Sequence, residues 1–193
     1  MSWARIMAPL SGAASDGAAL AAAKALAAPF DAELAAVFAP ADAAELMPWM
    51  GEGFMGGVQV AALDSLKEAT AEAERRARAH FEGLGYAQGR FMALGSPVAS
   101  ELAMEARLSD VVVFGPDAAR GRGPLVEAFQ QVLMEERRPV LIARGLPSLD
   151  DTVAVAWDGG REATRSARIA SPFEARLRLA PQDEATFAFR AAL

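Results

Sequence analysis

The residues best suited to bind a ligand lie in a short glycine- and arginine-rich segment, Arg120-Gly-Arg-Gly123. The glycines at 121 and 123 let backbone N–H groups approach an anion, and the two arginine side chains offer charged donors to phosphate or carboxylate oxygens. The same composition is also typical of a solvent-exposed loop before a helix. The sequence therefore predicts either an anion-binding loop built on Gly121, Arg122 and Gly123 or a plain surface connection.

The other chemistry-bearing residues do not form a catalytic or metal-binding pattern. The chain has one histidine, His80, among charged residues typical of an exposed helix face, and it has no cysteine. Disulfides, thiol nucleophiles and cysteine-ligated metals are thereby excluded, and no zinc site is indicated. The scattered acids that lack cation-binding spacing are Asp42, Glu45, Glu52, Asp110 and Asp117. Because no Ser/His/acid set or general base can be identified, the sequence predicts a protein that is not an enzyme.

Charge and hydropathy restrict the partners of the chain. Its 193 residues carry 19 Lys and Arg against 25 Asp and Glu, a net charge of −6. No basic run would neutralise a nucleic-acid backbone, so nucleic acid is not an expected partner. No apolar stretch reaches the roughly 18–20 residues of a membrane span, and Asp16 lies where a secretory signal would be most apolar. These observations predict a cytoplasmic protein that does not associate with a membrane.

Short apolar runs alternate with helical patterns along the first 145 residues. One run, residues 110–114, is unbroken, as in the centre of a parallel sheet. The predicted strands cover residues 6–10, 33–38, 90–94, 110–114 and 139–143. The predicted helices cover residues 16–28, 60–84, 97–107 and 124–137, with a loop at 116–123. Ser15 or Asp16 is expected to cap the first helix, and Pro97 to occupy the first helical position of the third.

Strands that alternate with helices at this spacing predict a doubly wound parallel α/β sheet with right-handed crossovers. In such sheets ligands bind beyond the carboxyl ends of the strands. The segments expected at that edge are Ser11-Gly12, residues 37–39, Leu94-Gly95 and Gly115-Pro116. A ligand site is expected among these segments.

The opening of the chain recurs near its C-terminus. Residues 5–12 and residues 152–159 are both apolar runs that end in a turn and precede a helical pattern. Ser11 aligns with Asp158, and their separation is about the length of one domain. The sequence thus predicts a complete domain over residues 1–145, a linker over 146–151, and the truncated start of a second copy with a divergent tail over 152–193. The tail, which includes Phe187 and Phe189, fits either a helix or a strand.

Several segments of the chain together resemble one known family. Leu108-Ser-Asp-Val-Val-Val-Phe-Gly115, a glycine-rich loop, a helix and Glu136-Arg-Arg-Pro-Val-Leu-Ile-Ala143 follow one another in that order. This half is similar to the C-terminal half of a universal stress protein (UspA-like) domain. Ala8-Pro-Leu-Ser-Gly12 resembles that family's first strand and turn, and Gly95-Ser-Pro97 its third-strand exit. Trp157-Asp-Gly-Gly-Arg-Glu162 resembles the start of the second domain in tandem members.

This resemblance implies a Rossmann-like five-stranded sheet of the adenine-nucleotide α-hydrolase-like type and, in one branch of the family, ATP or AMP binding. That branch carries Gly-x-x-Gly and a later Gly-Ser or Gly-Thr after the fourth strand. Here Gly115 matches the first glycine, but Ala118 replaces the second and Ala128-Phe129 replaces the last pair. The chain thus resembles the branch that lacks the ATP motif, and Phe129 is expected to crowd the phosphates of a nucleotide. The positions that match the family's nucleotide-lining residues are Pro9, Val37 and Gly115.

The resulting functional prediction is a non-enzymatic stress-response protein of the universal-stress type that acts through association and needs no cofactor. The resemblance implies dimerisation through the fifth strand, and an apolar edge strand at residues 139–143 favours pairing with an identical strand. The apolar loop of residues 46–55 is a second candidate contact for a protein partner. The alternative is a stress sensor that binds ATP or AMP through a degenerate phosphate loop. Its site residues would be Pro9, Val37, Gly115, Gly121 and Gly123.

Overall fold

The core of the molecule is a five-stranded sheet in which every neighbouring pair is parallel. The structure, a computed structural model, describes residues 3–40, 56–144, 152–156 and 186–190. The strands of the sheet are β1 (Arg5–Leu10), β2 (Glu33–Phe38), β3 (Gly89–Ala93), β4 (Val111–Phe114) and β5 (Val140–Ile142). Their order is β3-β2-β1-β4-β5, so the direction of winding reverses between β1 and β4. The doubly wound α/β sheet predicted from the sequence is confirmed.

Helices cover both faces of this sheet. Those on one face are α1 (Asp16–Ala27) and α2 (Gly56–Leu84). Those on the other face are α3 (Val98–Arg107), the short α4 (Pro116–Ala119) and α5 (Val126–Gln130). A 3₁₀ turn, Ala28–Phe30, follows α1, and a π-helical turn, Gln131–Glu135, follows α5.

The strands supply apolar side chains to both layers. Successive strand residues point to opposite faces, so Ile6 and Leu10 pack toward α1 while Met7 packs toward α3. All four residues of β4 are buried, as expected for a strand covered on both faces. This continuous burial explains why the strands read as unbroken apolar runs.

Several predicted boundaries need correction. α2 begins at Gly56, four residues before its predicted start, and Pro97 lies at the N-cap of α3 instead of inside it. The predicted loop of residues 116–123 contains α4, because Pro116 has the fixed φ of a first helical position. Positive φ angles of 70° at Gly121 and 84° at Gly123 carry the chain away from that helix. The predicted helix of residues 124–137 consists of α5 and the π-helical turn.

The C-terminal part of the chain is described at two strands. β6 (Thr152–Ala156) pairs antiparallel with β7 (Thr186–Arg190). The first is the strand predicted for the second copy, and the second shows that residues 186–190 are extended rather than helical. Residues 157–185, including Asp158, lie outside the described residues, as does the loop of residues 46–55. The second copy and the linker stay predictions. No helix in the described part of the chain is long and apolar enough to cross a membrane.

Candidate functional site

A cleft opens where the winding of the sheet reverses, beside the carboxyl ends of β1 and β4. Its volume is about 450 Å³. One wall comes from the end of β1 and the turn into α1, and the other comes from the segment that follows β4. The lining residues that matter below are Pro9, Ser11, Asp16, Gly115, Arg122 and Gly123. This is the edge at which ligands bind in doubly wound sheets.

The first wall contains a buried carboxylate. Asp16 is 2% exposed, and its Oδ2 accepts hydrogen bonds from the backbone N–H groups of Ser11 at 2.9 Å and Gly12 at 2.7 Å. The Ser11 hydroxyl donates to Oδ1 at 3.3 Å. The side chain of Asp16 therefore closes the β1–α1 turn on itself. The predicted cap is corrected: Ser15 occupies the N-cap position without a side-chain cap hydrogen bond.

Helix α2 contacts the β1–α1 turn and supports it. The Arg76 side chain donates from Nε to the Gly12 carbonyl oxygen at 3.0 Å. Gly12 has φ of 80°, and a Cβ at this position would lie 2.3 Å from the Ala73 carbonyl oxygen. Only glycine allows the turn and the helix to approach this closely. The position of the Asp16 carboxylate thus depends on how α2 packs.

The second wall carries a surface ion pair. The Arg122 guanidinium donates to Asp117 Oδ1 at 3.0 Å, and Arg120 lies 3.9 Å from the same oxygen. The side chains of Arg122 and Asp117 are 64% and 49% exposed. Asp110 lies at the opposite end of the sheet, where its Oδ2 accepts hydrogen bonds from the backbone N–H groups of Ala4 and Arg5. Within the described residues, no group of three or more His, Asp or Glu side chains could hold a metal ion.

Comparison with known proteins identifies the fold. No protein-family model matches the sequence, and no curated protein matches it. Among solved structures, the universal stress protein UspA from Lactobacillus plantarum is similar, with a TM-score of 0.51 and 14% sequence identity. The likeness covers 75% of this chain and 99% of that one. The chain has the universal stress protein fold.

Two further solved structures are similar at lower scores. One is a protein of the universal stress protein family from Burkholderia pseudomallei, at 24% identity and a TM-score of 0.42, covering 72% of this chain and 94% of that one. The other is a universal stress protein in complex with cAMP, at 19% identity and a TM-score of 0.45, covering 74% of this chain and 97% of that one.

The residues singled out from the sequence divide into two groups in this universal stress protein fold. Pro9, Gly115 and Gly123 line the same cleft. Gly121 lies in the same loop as Gly123 but outside the residues that line the cleft. Val37 is wholly buried, because its position along β2 directs it into the apolar layer that faces α3.

Phe129 does not reach into the cleft. Its ring packs edge-to-face on the buried Phe114, with ring centroids 5.4 Å apart and planes at 88°. The residue packs against the apolar layer beneath α5 and is not among the residues that line the cleft, so its position gives no support to the expected crowding of phosphates. Ala118, where the resemblance implies a glycine in the ATP-binding branch, lines the cleft and contributes one methyl group to it.

Burial governs the protonation of the Asp16 carboxyl. Desolvation raises its pKa above the ordinary value, while the hydrogen bonds from Ser11 and Gly12 and the charge of His80 oppose this shift. His80 lies on α2, where its Nδ1 would be 3.6 Å from a Cβ built on Gly17. The sequence predicts Asp16 as a helix cap and His80 as a surface residue, and His80 is indeed exposed. No sequence signal places the two near each other, because the proximity depends on how α2 packs on α1.

The raised pKa of Asp16 predicts a stability that falls as pH rises. Between the ordinary aspartate pKa of about 3.9 and the raised value in the fold, the unfolded chain releases its proton first. The unfolding free energy of the wild type should therefore fall, through this window, relative to that of Asp16→Asn. Urea unfolding of both proteins between pH 3 and pH 7 measures the difference. A difference that does not change with pH would contradict the prediction.

Proposed function

We propose that this chain is a non-enzymatic stress-response protein of the universal stress type, whose cleft binds an adenine nucleotide. The observation that carries the proposal is the cleft itself, which lies at the reversal of the strand order between Pro9 and Gly115. Its size is suited to a small ligand, and its position is the one used by ligands in this class of sheet. The cytoplasmic location expected from the sequence belongs to the same proposal.

The backbone of the second wall supports a ligand that approaches closely. A Cβ built on Gly115, Gly121 or Gly123 would meet nothing within 4 Å, so space is open beside each of these positions. The Arg122 guanidinium lies on the same wall and can donate to an anionic group. The half-buried Phe129 ring packs on Phe114 and does not line the cleft, so it leaves this approach open.

The arrangement of polar side chains favours binding over catalysis. The Ser11 hydroxyl donates to Asp16 Oδ1 at 3.3 Å, beyond the roughly 2.6–3.2 Å reach of a general base, and two backbone N–H groups hold the other oxygen of this carboxylate. Among the described residues, no hydrogen bond joins His80 to Ser11 or Asp16. A serine nucleophile would need a neighbouring base in hydrogen-bond reach.

Calorimetric titration with AMP and ATP tests the nucleotide proposal. We expect a dissociation constant in the micromolar range for at least one of them, and a loss of affinity of about tenfold or more in Arg122→Ala, since a charge-assisted hydrogen bond contributes roughly 1.5–3 kcal/mol. Arg120→Ala is the matched control, because Arg120 is on the same loop but does not line the cleft. Equal losses in the two variants, or no heat with either nucleotide, would contradict the proposal.

A second proposal concerns association through β5. This strand is at the edge of the sheet, and the Ala143 N–H donates to the Phe114 carbonyl at 2.8 Å. Because hydrogen-bonding groups alternate along a strand, the N–H groups of Val140 and Ile142 point away from β4. An edge with outward N–H and C=O groups is a template for pairing with another strand, and a second copy of β5 is the expected partner.

Size-exclusion chromatography with light scattering, on samples of about 1–100 µM, tests this association. We expect the mass of a dimer for the wild type and of a monomer for Ile142→Pro, which removes an outward N–H without removing a hydrogen bond to β4. Thermal unfolding of the variant checks that the fold is retained. A wild-type monomer throughout this range would contradict dimerisation.

A further inference from the structure

The two walls of the cleft differ in how firmly they hold negative charge. Of the charged side chains that line the cleft within the described part of the chain, Asp16 and Asp117 are acidic and Arg122 is basic. Two anion-binding groups of the cleft already have a carboxylate as their partner. The two successive N–H groups of the β1–α1 turn hold Asp16, and the Arg122 guanidinium holds Asp117.

The Asp16 carboxylate is a permanent part of its wall. Successive N–H groups around a residue with positive φ form a concavity that binds anions, and here Asp16 Oδ2 fills it at 2.7 and 2.9 Å. If the carboxylate moved away, the N–H groups of Ser11 and Gly12 would lose their hydrogen-bond partner. The loss would be costly because Asp16 is only 2% exposed and water has little access to this place. The N–H groups of Ser11 and Gly12 are therefore not available to a phosphate oxygen.

Another anion can readily displace the Asp117 carboxylate from Arg122. Its ion pair with Arg122 involves two side chains that are about half exposed, and such pairs contribute little in water. A phosphate group can accept the Arg122 donors in place of Asp117 and leave Asp117 solvated. The loop wall is thus the one that can take the anionic group of a ligand.

We infer that Asp16 determines the specificity of the cleft by keeping phosphate away from the β1–α1 turn. The ligand that this arrangement selects has one phosphate, directed to Arg122, and hydroxyl or amino donors directed to Asp16. Asp16 Oδ1 has a single 3.3 Å contact with the Ser11 hydroxyl within the described residues, so it retains acceptor capacity for such a donor. A nucleoside monophosphate meets both conditions, whereas a triphosphate brings additional negative charge toward a fixed carboxylate. This inference rests on the proposed nucleotide binding.

The test compares AMP and ATP on three forms of the full chain by calorimetry. The wild type is expected to bind AMP at least tenfold more tightly than ATP. Asp16→Asn keeps an oxygen acceptor for the two N–H groups and removes the charge, so its affinity for ATP should rise at least tenfold while its affinity for AMP changes less. Asp117→Asn frees Arg122 and should strengthen the binding of both nucleotides by a similar factor.

The outcomes separate the inference from the proposal on which it rests. An AMP-to-ATP affinity ratio that is the same in the wild type and Asp16→Asn overturns the role of Asp16, while nucleotide binding stands. A wild type that prefers ATP overturns it as well, even where Asp16→Asn does not fold. If no form binds AMP or ATP, the nucleotide proposal fails and the inference fails with it. A role of Asp16 in folding alone would lower both affinities together and leave their ratio unchanged.

Discussion

Gly12→Ala is expected to destabilise the protein by about 3–5 kcal/mol, since it combines a strained backbone with overpacking. The residue has φ of 80°, and the added Cβ would lie 2.3 Å from the Ala73 carbonyl oxygen and 2.6 Å from the Ala73 Cα. These are backbone atoms of α2, so no side-chain rotation relieves the contact. Urea unfolding measures the loss, and a decrease in melting temperature on the order of 10 °C should accompany it.

Gly17→Ala is the matched control for this prediction. Gly17 lies in the first turn of α1, and a Cβ there would meet the His80 ring at 3.6 Å, an ordinary van der Waals contact. Alanine is the better helix former, so this variant should be as stable as the wild type or slightly more stable. If Gly12→Ala and Gly17→Ala have the same stability, α2 does not pack against the β1–α1 turn as described.

Phe114→Ala is expected to lower the unfolding free energy by about 3–5 kcal/mol, the usual range for deleting a buried aromatic ring. Phe114 is 0% exposed, ends β4 and packs edge-to-face on Phe129. Its loss leaves a cavity between the sheet and α5. Denaturant unfolding measures the effect, and the affinity of the cleft for nucleotide should fall in parallel because Gly115, the next residue along the chain, lines the cleft.

Two further variants separate burial from the contact between the rings. Phe129→Ala removes the same ring pair from its half-buried side, so it should cost less than Phe114→Ala. Phe114→Leu keeps most of the buried volume, and its cost should stay below about 2 kcal/mol. Equal effects of Phe114→Ala and Phe129→Ala would mean that the ring pair, and not the burial of Phe114, holds this part of the core.

The strands were predictable because a buried strand appears in the sequence as a run of apolar residues. The unbroken run of β4 and the apolar run of β1 lie in the sheet within one residue of the predicted ends. Local turn chemistry was less informative. Pro97 sits one position earlier relative to its helix than predicted, since Pro is accommodated both at the helix boundary and inside the first turn.

The candidate site was predictable in position but not in chemistry. The carboxyl ends of β1 and β4 follow from strand order, and Pro9, Gly115 and Gly123 do line one cleft there. The direction of Phe129 depends on which side of α5 meets the sheet, and Asp16 turns toward Ser11 because α2 fixes the turn between them. The packing of Phe129 on Phe114 and the support of the turn by Arg76 are contacts between different elements, which a local pattern does not encode.

The central position of β1 has a consequence for synthesis on the ribosome. Its hydrogen-bonding edge toward β4 stays open until residues about 105 positions further along, such as Asp110, have been made. During that time the nascent chain carries an apolar parallel strand with unpaired N–H and C=O groups, the kind of edge that other chains can bind. Slow translation between β3 and β4 should therefore increase misassembly, and a chaperone that binds the emerging strand should reduce it.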